Sequence, residues 1–344
     1  MAFMNALIIS DLHLTENSNE EYRWTVFTTA RQYLKQHKIP NLYILGDLLD
    51  KKDRHPAELV NRLINELVKC TDAGNVHVTI LKGNHDYLKP EHPFLDFLDH
   101  LDHITWIDQP QMIVHDLKET LWLPHSKTPE VDWKDLDYKD IDYIFMHQSV
   151  IGCKVSNMFE MNHGLNLKWL TSKTNAKIYS GDIHVPQDID SLTYIGTPHP
   201  VAFGDHYQPR MLHLTDEGHI EIPLNTIQRL ALTVTSLHDL KKQCEHLNTQ
   251  PGDHLKLKIK LSNKELSQWS DLKQIIQAWC QQQDLKLFDI TLEKQNLDCE
   301  VELKTAKFRH IDPFAALEEY TQQEQLDAFT IQLGKDLLTS ALQK

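Results

Sequence analysis

Short apolar runs recur along the first 184 residues, and each stops on polar residues: NALIISDLH, NLYILGDLLD, VTILKGNHD, DYIFMH and AKIYSGDIH. Their length and β-branched, aliphatic content predict strands buried on both faces. Between the first three lie segments of helical period, YRWTVFTTARQYLKQH (residues 22–37) and PAELVNRLINELVKC (residues 56–70). In the second, Leu59, Leu63, Ile64 and Leu67 share one helical face, and Pro56 suits a first turn. Strand alternating with helix predicts a layered α/β fold.

After residue 104 the pattern becomes more β-like, with WIDQPQMIVHD, TLWLPH, TYIGTPHP, RMLHLTD and HIEIPL. These pieces predict a second sheet packed on the first. Near residue 225 the runs closed by polar residues stop. LALTVTS, HLKLKIKLS, LFDITLEKQ and CEVELKTA alternate as strands do, and a helix is expected across roughly residues 263–283. The last segment reads as helix from Asp312, a plausible N-cap, and Pro313. The expected organisation is a core domain over residues 1–224, a small α/β accessory domain over 225–310 and a helical tail over 311–344.

Composition narrows the function classes. The 344 residues carry a formal net charge of -14, so a basic face that grips nucleic acid by bulk electrostatics is not expected. Part of the acidity sits in TPEVDWKDLDYKDID (residues 128–142), which reads as a solvated surface. Cys70, Cys153, Cys244, Cys280 and Cys299 form no CxxC pair, which predicts buried thiols rather than disulfides or a zinc knuckle. No apolar window reaches membrane-span length, and charge interrupts MAFMNALIISDLHL too early for a signal peptide. A cytoplasmic protein without membrane contact is the expectation.

The chemistry lies where histidines meet carboxylates. The five runs place Asp11 and His13, Asp47, Asn84 and His85, His147, and Asp182 and His184 at strand carboxyl ends, the edge where layered α/β folds bind ligands. One such residue at a strand end is usually an ordinary turn or cap. Five endings in series call for a common cause. Oxygen and nitrogen donors without thiolate favour Mn²⁺ or Mg²⁺ over a structural zinc, and their number suits two ions. Two ions about 3.5 to 4 Å apart share a carboxylate, for which Asp47 is the candidate.

DLH, GDLLD, GNHD, the lone His147 and GDIH resemble the motifs of the calcineurin-like metallophosphoesterases, D-x-H, G-D, G-N-H-D/E, H and G-H-x-H. The resemblance spans residues 7–184 and implies a two-sheet α/β sandwich with a small capping domain. It implies that Asp11, His13, Asp47 and His184 hold one metal, and that Asp47, Asn84, His147 and Asp182 hold the other. His85 would be proton donor or transition-state stabiliser, with Asp86 orienting it. GDIHVPQ followed by TYIGTPHPVAFGD is more similar to the SbcD-type nuclease subunits, including those of large phages. The serine/threonine phosphatases, with GDxVDRG and RGNHE, are less similar. The SbcD resemblance implies a manganese-dependent nuclease acting on DNA, in a homodimer with a coiled-coil ATPase of the SbcC type.

One position departs from the family: Asp182 stands where the first histidine of G-H-x-H is expected. Two divalent ions with Asp11, Asp47 and hydroxide leave about +1, and Asp182 lowers that to about zero. Either the bound water becomes less acidic, or the carboxylate tightens Mn²⁺ or Mg²⁺ against zinc, or Asp182 faces away. A phosphodiesterase for small substrates and a scaffold with an impaired site therefore stay open beside the nuclease. Arg54 is the foremost phosphate-contact candidate, with Lys51, Lys52 and Lys82 nearby in sequence. Two stripes suggest contacts: Phe94, Leu95, Leu98 and Leu101 for a dimer or the core, and Leu326, Phe329, Leu333, Leu337 and Leu338 for the ATPase or the tail's own domain.

Overall fold

The structure is a computed structural model that describes residues 4–115, 117–156, 159–205, 207–262, 266–294, Leu317, Thr321 and 328–342. The chain forms two compact units, Met1–Glu293 and Lys294–Lys344. The first holds every strand end singled out above.

Strands β1 (Ala6–Ile9), β2 (Asn41–Leu45), β3 (His77–Leu81) and β4 (Ile104–Ile107) lie parallel and in sequence order. A second sheet begins with β5 (Gln111–His115), β6 (Lys118–Leu123) and β7 (Tyr143–His147). After a short hairpin of β8 (Lys154–Ser156) and β9 (Phe159–Glu160), it continues through β10 (Lys177–Gly181), β11 (Gln187–Ile189) and β12 (Leu192–Tyr194), in the order β11-β12-β10-β7-β6-β5. The next two strands, β13 (Arg210–Thr215) and β14 (Gly218–Pro223), return to the first sheet, with β13 antiparallel to β1. The sequence placed RMLHLTD and HIEIPL in the second sheet. They instead cover the open β1 edge, which would otherwise expose unpaired backbone groups.

Alternation along each strand divides its side chains between two buried faces, as the sequence pattern required. Leu7, Ile9, Leu42 and Ile44 face a core shared with α1 (Thr25–His37) and α2 (Ala57–Thr71). Their neighbours Ala6, Ile8, Tyr43 and Leu45 face the second sheet's Trp122, Tyr143 and Phe145. At the centre of that inter-sheet layer, the Tyr43 ring lies 5.0 Å from Trp122 and 5.1 Å from Phe145. On the second sheet's other face, Ile144 and Met146 pack with Leu167 and Leu170 from a short helix, Leu167–Thr171. The sandwich thus has a filled middle, and the polar strand ends lie at its carboxyl rim.

A third sheet of β15 (Arg229–Val234), β16 (His254–Leu261) and β17 (Lys286–Lys294) has its own core, in which Leu232, Leu257 and Ile259 meet Leu240 and Ile276. Its helices are Leu237–His246 and Trp269–Gln282. The first of these escaped the sequence reading, although Ser236 caps it by accepting the Asp239 N–H. CEVELKTA and the 310/311 boundary lie outside the described residues. In the second unit a helix covers Ala328–Leu342. Leu333 is 49% exposed there, whereas Leu326 and the side chains of Phe329 and Leu337 lie outside the described residues. Cys70, Cys153, Cys244 and Cys280 are buried free thiols, as expected, and Cys299 is not described. Among the described residues no helix is long and apolar enough to cross a membrane.

Candidate metal centre

Three of the five strand ends come from the first sheet and two from the second, and the sandwich brings them together. The loops after β1 and β2 zip along one another: Asp11 N–H donates to the Gly46 carbonyl (3.1 Å), His13 N–H to Asp47 (2.9 Å) and Leu14 N–H to Leu48 (2.9 Å). Across the sheets, Asp182 N–H donates to Asp11 Oδ1 (3.0 Å), and His147 Nδ1–H to the Leu45 carbonyl (2.6 Å). Asp11, His13, Asp47 and Asp182 all hold positive φ, between 44° and 79°. Non-glycine residues in that region cost about 1 kcal/mol or more each and cluster at functional sites.

Two glycines permit this closeness. A Cβ on Gly83 would collide with the carboxylate and backbone N of Asp47, and one on Gly181 with the Leu45 carbonyl and the His147 ring. Gly83 therefore serves close approach; its φ is not in the left-handed region. The TYIGTPHP turn lies under the site, with Ser10 Oγ donating to the Gly196 carbonyl (3.3 Å) and Thr197 N–H to His184 (3.1 Å).

The donor atoms form overlapping groups. Asp11, His13 and His184 offer ligand atoms within 4.8 Å of one another, as do Asp11, Asp47 and His147, and also His13, Asp47 and His85. His13 and His184 meet Nε2 to Nε2 at 3.1 Å. His147 Nε2 lies 3.4 Å from Asp47 Oδ1 and 3.8 Å from Asp182 Oδ1. Asp182 is thus turned into the site, not away from it. Asn84 Oδ1 and His147 Nε2 are buried without a hydrogen-bond partner, a cost that a cation removes. Asp47 stands between the two donor sets, within reach of both His13 and His147. All of these donors are oxygen or imidazole nitrogen, so the residues fit two hard or borderline divalent ions.

Protonation follows from burial and charge. Burial pushes the Asp11 carboxyl up to about 7, and repulsion from Asp47 adds to it. Burial lowers His13 to about 3 and also depresses His184, so both are neutral ligands. Burial opposes ionisation of Asp47, but the positive charge of nearby His147 outweighs it and holds that carboxyl well below the usual range. His147 is correspondingly raised: burial lowers it, and Asp47 more than restores it. Burial raises Asp182.

His85 sits at the mouth of the cluster, its ring 4.8 Å from that of His13. Its backbone N–H donates to Asp47 Oδ1 (2.7 Å), and its Nδ1 bonds the Asp50 carbonyl at 2.6 Å. Nδ1 must carry the proton in that bond, which leaves Nε2 for a substrate. This corrects the expected role of Asp86 toward His85. The Asp86 carboxylate accepts instead from the backbone N–H groups of Asp47 (2.9 Å), Leu48 (3.1 Å) and Gly83 (2.7 Å), tying the second and third motif loops together. The His85 ring is held by the Asp50 carbonyl instead.

The basic residues divide. Arg54 is exposed and makes no ion pair among the described residues; Lys51 pairs with Glu16 at 2.7 Å. Lys82 is buried, with Nζ donating to the Pro90 carbonyl (3.2 Å). Leu95 and Leu98 are core residues, whereas Phe94 is 41% exposed beside the His55 ring. Beside the metal ligands lies a cavity of about 520 Å³, lined by Lys82, Tyr87, Glu91, His125, Lys127 and Trp133. His125 was not singled out from the sequence. Its ring is 6.2 Å from His147, and Nδ1 bonds the Tyr87 hydroxyl at 2.8 Å. Its position after TLWLP at the end of a strand was the available signal.

A calcineurin-like phosphoesterase family model matches residues 4–186, more than half of the chain. The chain belongs to that family. Its sandwich is the phosphoesterase core, and the Asp and His clusters at its rim are the candidate metal ligands. Exonuclease subunit 1 of Enterobacteria phage T4 is 23% identical over 224 residues, 62% of this chain and 65% of that relative, so the match spans under two thirds of its length. Among solved structures, a dimetal phosphatase from Danio rerio is 12% identical with a TM-score of 0.40, covering 65% of this chain and 100% of that one. A novel archaeal phosphodiesterase is likewise 12% identical with a TM-score of 0.37, covering 64% and 100%.

Proposed function

We propose that the protein is a manganese-dependent DNA nuclease of the SbcD type, hydrolysing phosphodiesters as an exonuclease on duplex ends and an endonuclease on single strands. The observation that carries the hydrolytic part is the convergence of Asp11, His13, Asp47, Asn84, His147, Asp182 and His184 on one thiolate-free cluster, with His85 at its mouth. The choice of DNA is supported by the likeness to a phage protein named as an exonuclease subunit and by the GDIHVPQ and TYIGTPHPVAFGD stretches. Cytoplasmic location, a homodimer and an SbcC-type ATPase partner belong to the same reading and rest on the resemblance.

Asp11, His13, Asp47 and His184 would hold one ion, and Asp47, Asn84, His147 and Asp182 the other. Such a pair supplies a nucleophile at neutral pH and an electrophilic clamp for the phosphoryl oxygens. The chain's own residues do the rest. His13 and His184, held neutral by burial, give up no proton on ligation. The Asp50 carbonyl fixes the His85 ring so that Nε2 faces the substrate, to stabilise charge on the phosphoryl group or protonate the leaving oxygen. Arg54, unpaired on the loop after the second motif, is available to a neighbouring phosphate.

Purified protein with Mn²⁺, given end-labelled duplex, single-stranded DNA and a chromogenic phosphodiester, tests this reading against a His85→Ala control. DNA cleavage that weakens steeply with salt is expected, since phosphate contacts release counterions. Turnover of the small diester alone, insensitive to salt, would instead assign a small-molecule phosphodiesterase, and no turnover would assign a scaffold.

A further inference from the structure

Just before α1, the 3₁₀ segment Ser18–Trp24 places a guanidinium behind the metal centre. Arg23 is 3% exposed, and its Nη1 donates to the His13 carbonyl and, at 3.1 Å, to Asp50 Oδ1. One side chain therefore holds the backbone of a metal ligand and the residue whose own carbonyl orients His85. Arg23 Nη2 donates to Glu20 Oε1 at 2.9 Å, and that same oxygen accepts from Arg229 Nη1 at 3.2 Å. Arg229 opens β15, the first strand of the third sheet. It also donates to the Val201 carbonyl (2.5 Å) and lies over the Phe203 ring, 4.3 Å from its centroid. Tyr22 reinforces the strut, donating to the Pro200 carbonyl (2.9 Å) and meeting the His254 ring of β16 at 5.4 Å.

We infer that Arg23 is a positioning residue for His85 and His13, and that the Glu20–Arg229 pair couples the seating of the three-stranded accessory sheet to that alignment. The inference rests on the phosphodiesterase reading above. Two cations, Arg23 and Arg229, are matched by two carboxylates; Arg23, Arg229 and Glu20 are shielded from solvent while Asp50 is 39% exposed, so removing the Glu20 charge leaves two guanidinium groups short of a buried partner. A guanidinium is suited to this place because its planar fork reaches a carbonyl and two carboxylates at once, whereas lysine offers a single point charge. Movement of the accessory sheet against the core would pull on Glu20 through Arg229 and reach the His85 ring through Arg23 and Asp50.

The outer end of the relay gives the cleaner test, since Arg229→Gln and Glu20→Gln leave the metal ligands and Arg23 in place. With Mn²⁺ and bis(p-nitrophenyl) phosphate, each is expected to lower kcat on the order of 10-fold or more, the range of substitutions behind metal ligands, with KM little changed. In a His85→Ala background the same substitutions should have almost no further effect, because the relay acts through that ring. An equal loss in both backgrounds would overturn the inference. A readout independent of turnover is the ¹⁵N spectrum of His85 in the metal-free protein, assigned by its absence in His85→Ala. The Nδ1–H signal, fixed by the Asp50 carbonyl, should shift toward an averaged tautomer in Arg229→Gln and in Arg23→Lys. An unchanged His85 signal in both variants would refute the coupling, even for a protein that turns over no diester and so fails the functional reading.

Discussion

His13 and His184 face each other Nε2 to Nε2 at 3.1 Å, and burial keeps both from taking up a proton. Without a cation one Nε2–H can donate to the other ring, and ligation needs both Nε2 lone pairs free instead. Two other candidate ligands are less ready: Asp11 sits near 7 and is about half protonated at neutral pH, and His147, raised by Asp47, carries a proton in the metal-free protein. Metal ligation requires Asp11 ionised and His147 neutral. Mn²⁺ binding should therefore release protons, and apparent affinity should rise as pH climbs through about 7 and fall below it. Calorimetric titration in two buffers of different ionisation enthalpy checks this; identical heats would contradict it.

Asp182 points a carboxylate oxygen toward His147 Nε2 at 3.8 Å where the family's pattern has an imidazole. Hard oxygen favours Mn²⁺ and Mg²⁺ over zinc. Asp182→His should shift metal preference toward zinc, and Asp182→Asn should weaken Mn²⁺ at one of two equivalents. Competition titrations read both; unchanged stoichiometry and preference would remove Asp182 from the ligand shell.

How much of this was legible beforehand depends on whether a feature belongs to a side chain or to the backbone. The strands of the rim and their terminal donors were readable, because burial on both faces writes a continuous apolar run and a ligand must be a particular residue type. The partner of His85 was not, because a backbone carbonyl such as that of Asp50 carries no residue signature. Asp86 was readable as a site residue but not in its role, since two of its three N–H partners lie 38 and 39 residues away in another loop. Arg23 stayed hidden within an amphipathic helical segment. The return of β13 to the β1 edge was equally hidden, because an antiparallel strand reads alike in either sheet.

Asp86 predicts a stability effect. Its two oxygens satisfy three buried backbone donors, and asparagine would turn an N–H₂ toward at least one of them. Asp86→Asn should cost about 1–3 kcal/mol in urea unfolding. A variant as stable as the parent would mean that the donors find water instead.

Gly83 predicts a loss located at the bridge. A methyl there has to displace the Asp47 carboxylate or its backbone, so Gly83→Ala should destabilise the protein by about 1–3 kcal/mol and weaken Mn²⁺ as well. Urea unfolding with and without Mn²⁺ separates the two effects. Loss of stability without loss of metal binding would show that Asp47 moves as a unit with its partners.

His85 is close enough to Asp47 and His13 to be a ligand, yet its Nδ1 is committed to the Asp50 carbonyl and only Nε2 remains. If Nε2 serves the substrate, His85→Ala should lower kcat by about 10²- to 10⁴-fold while both Mn²⁺ equivalents bind as before. If Nε2 serves a metal, the same variant should lose an equivalent. Kinetics alone do not distinguish these, because a missing ion also abolishes turnover. The titration decides, and retention of both ions with a collapsed kcat is the outcome that the orientation of the ring requires.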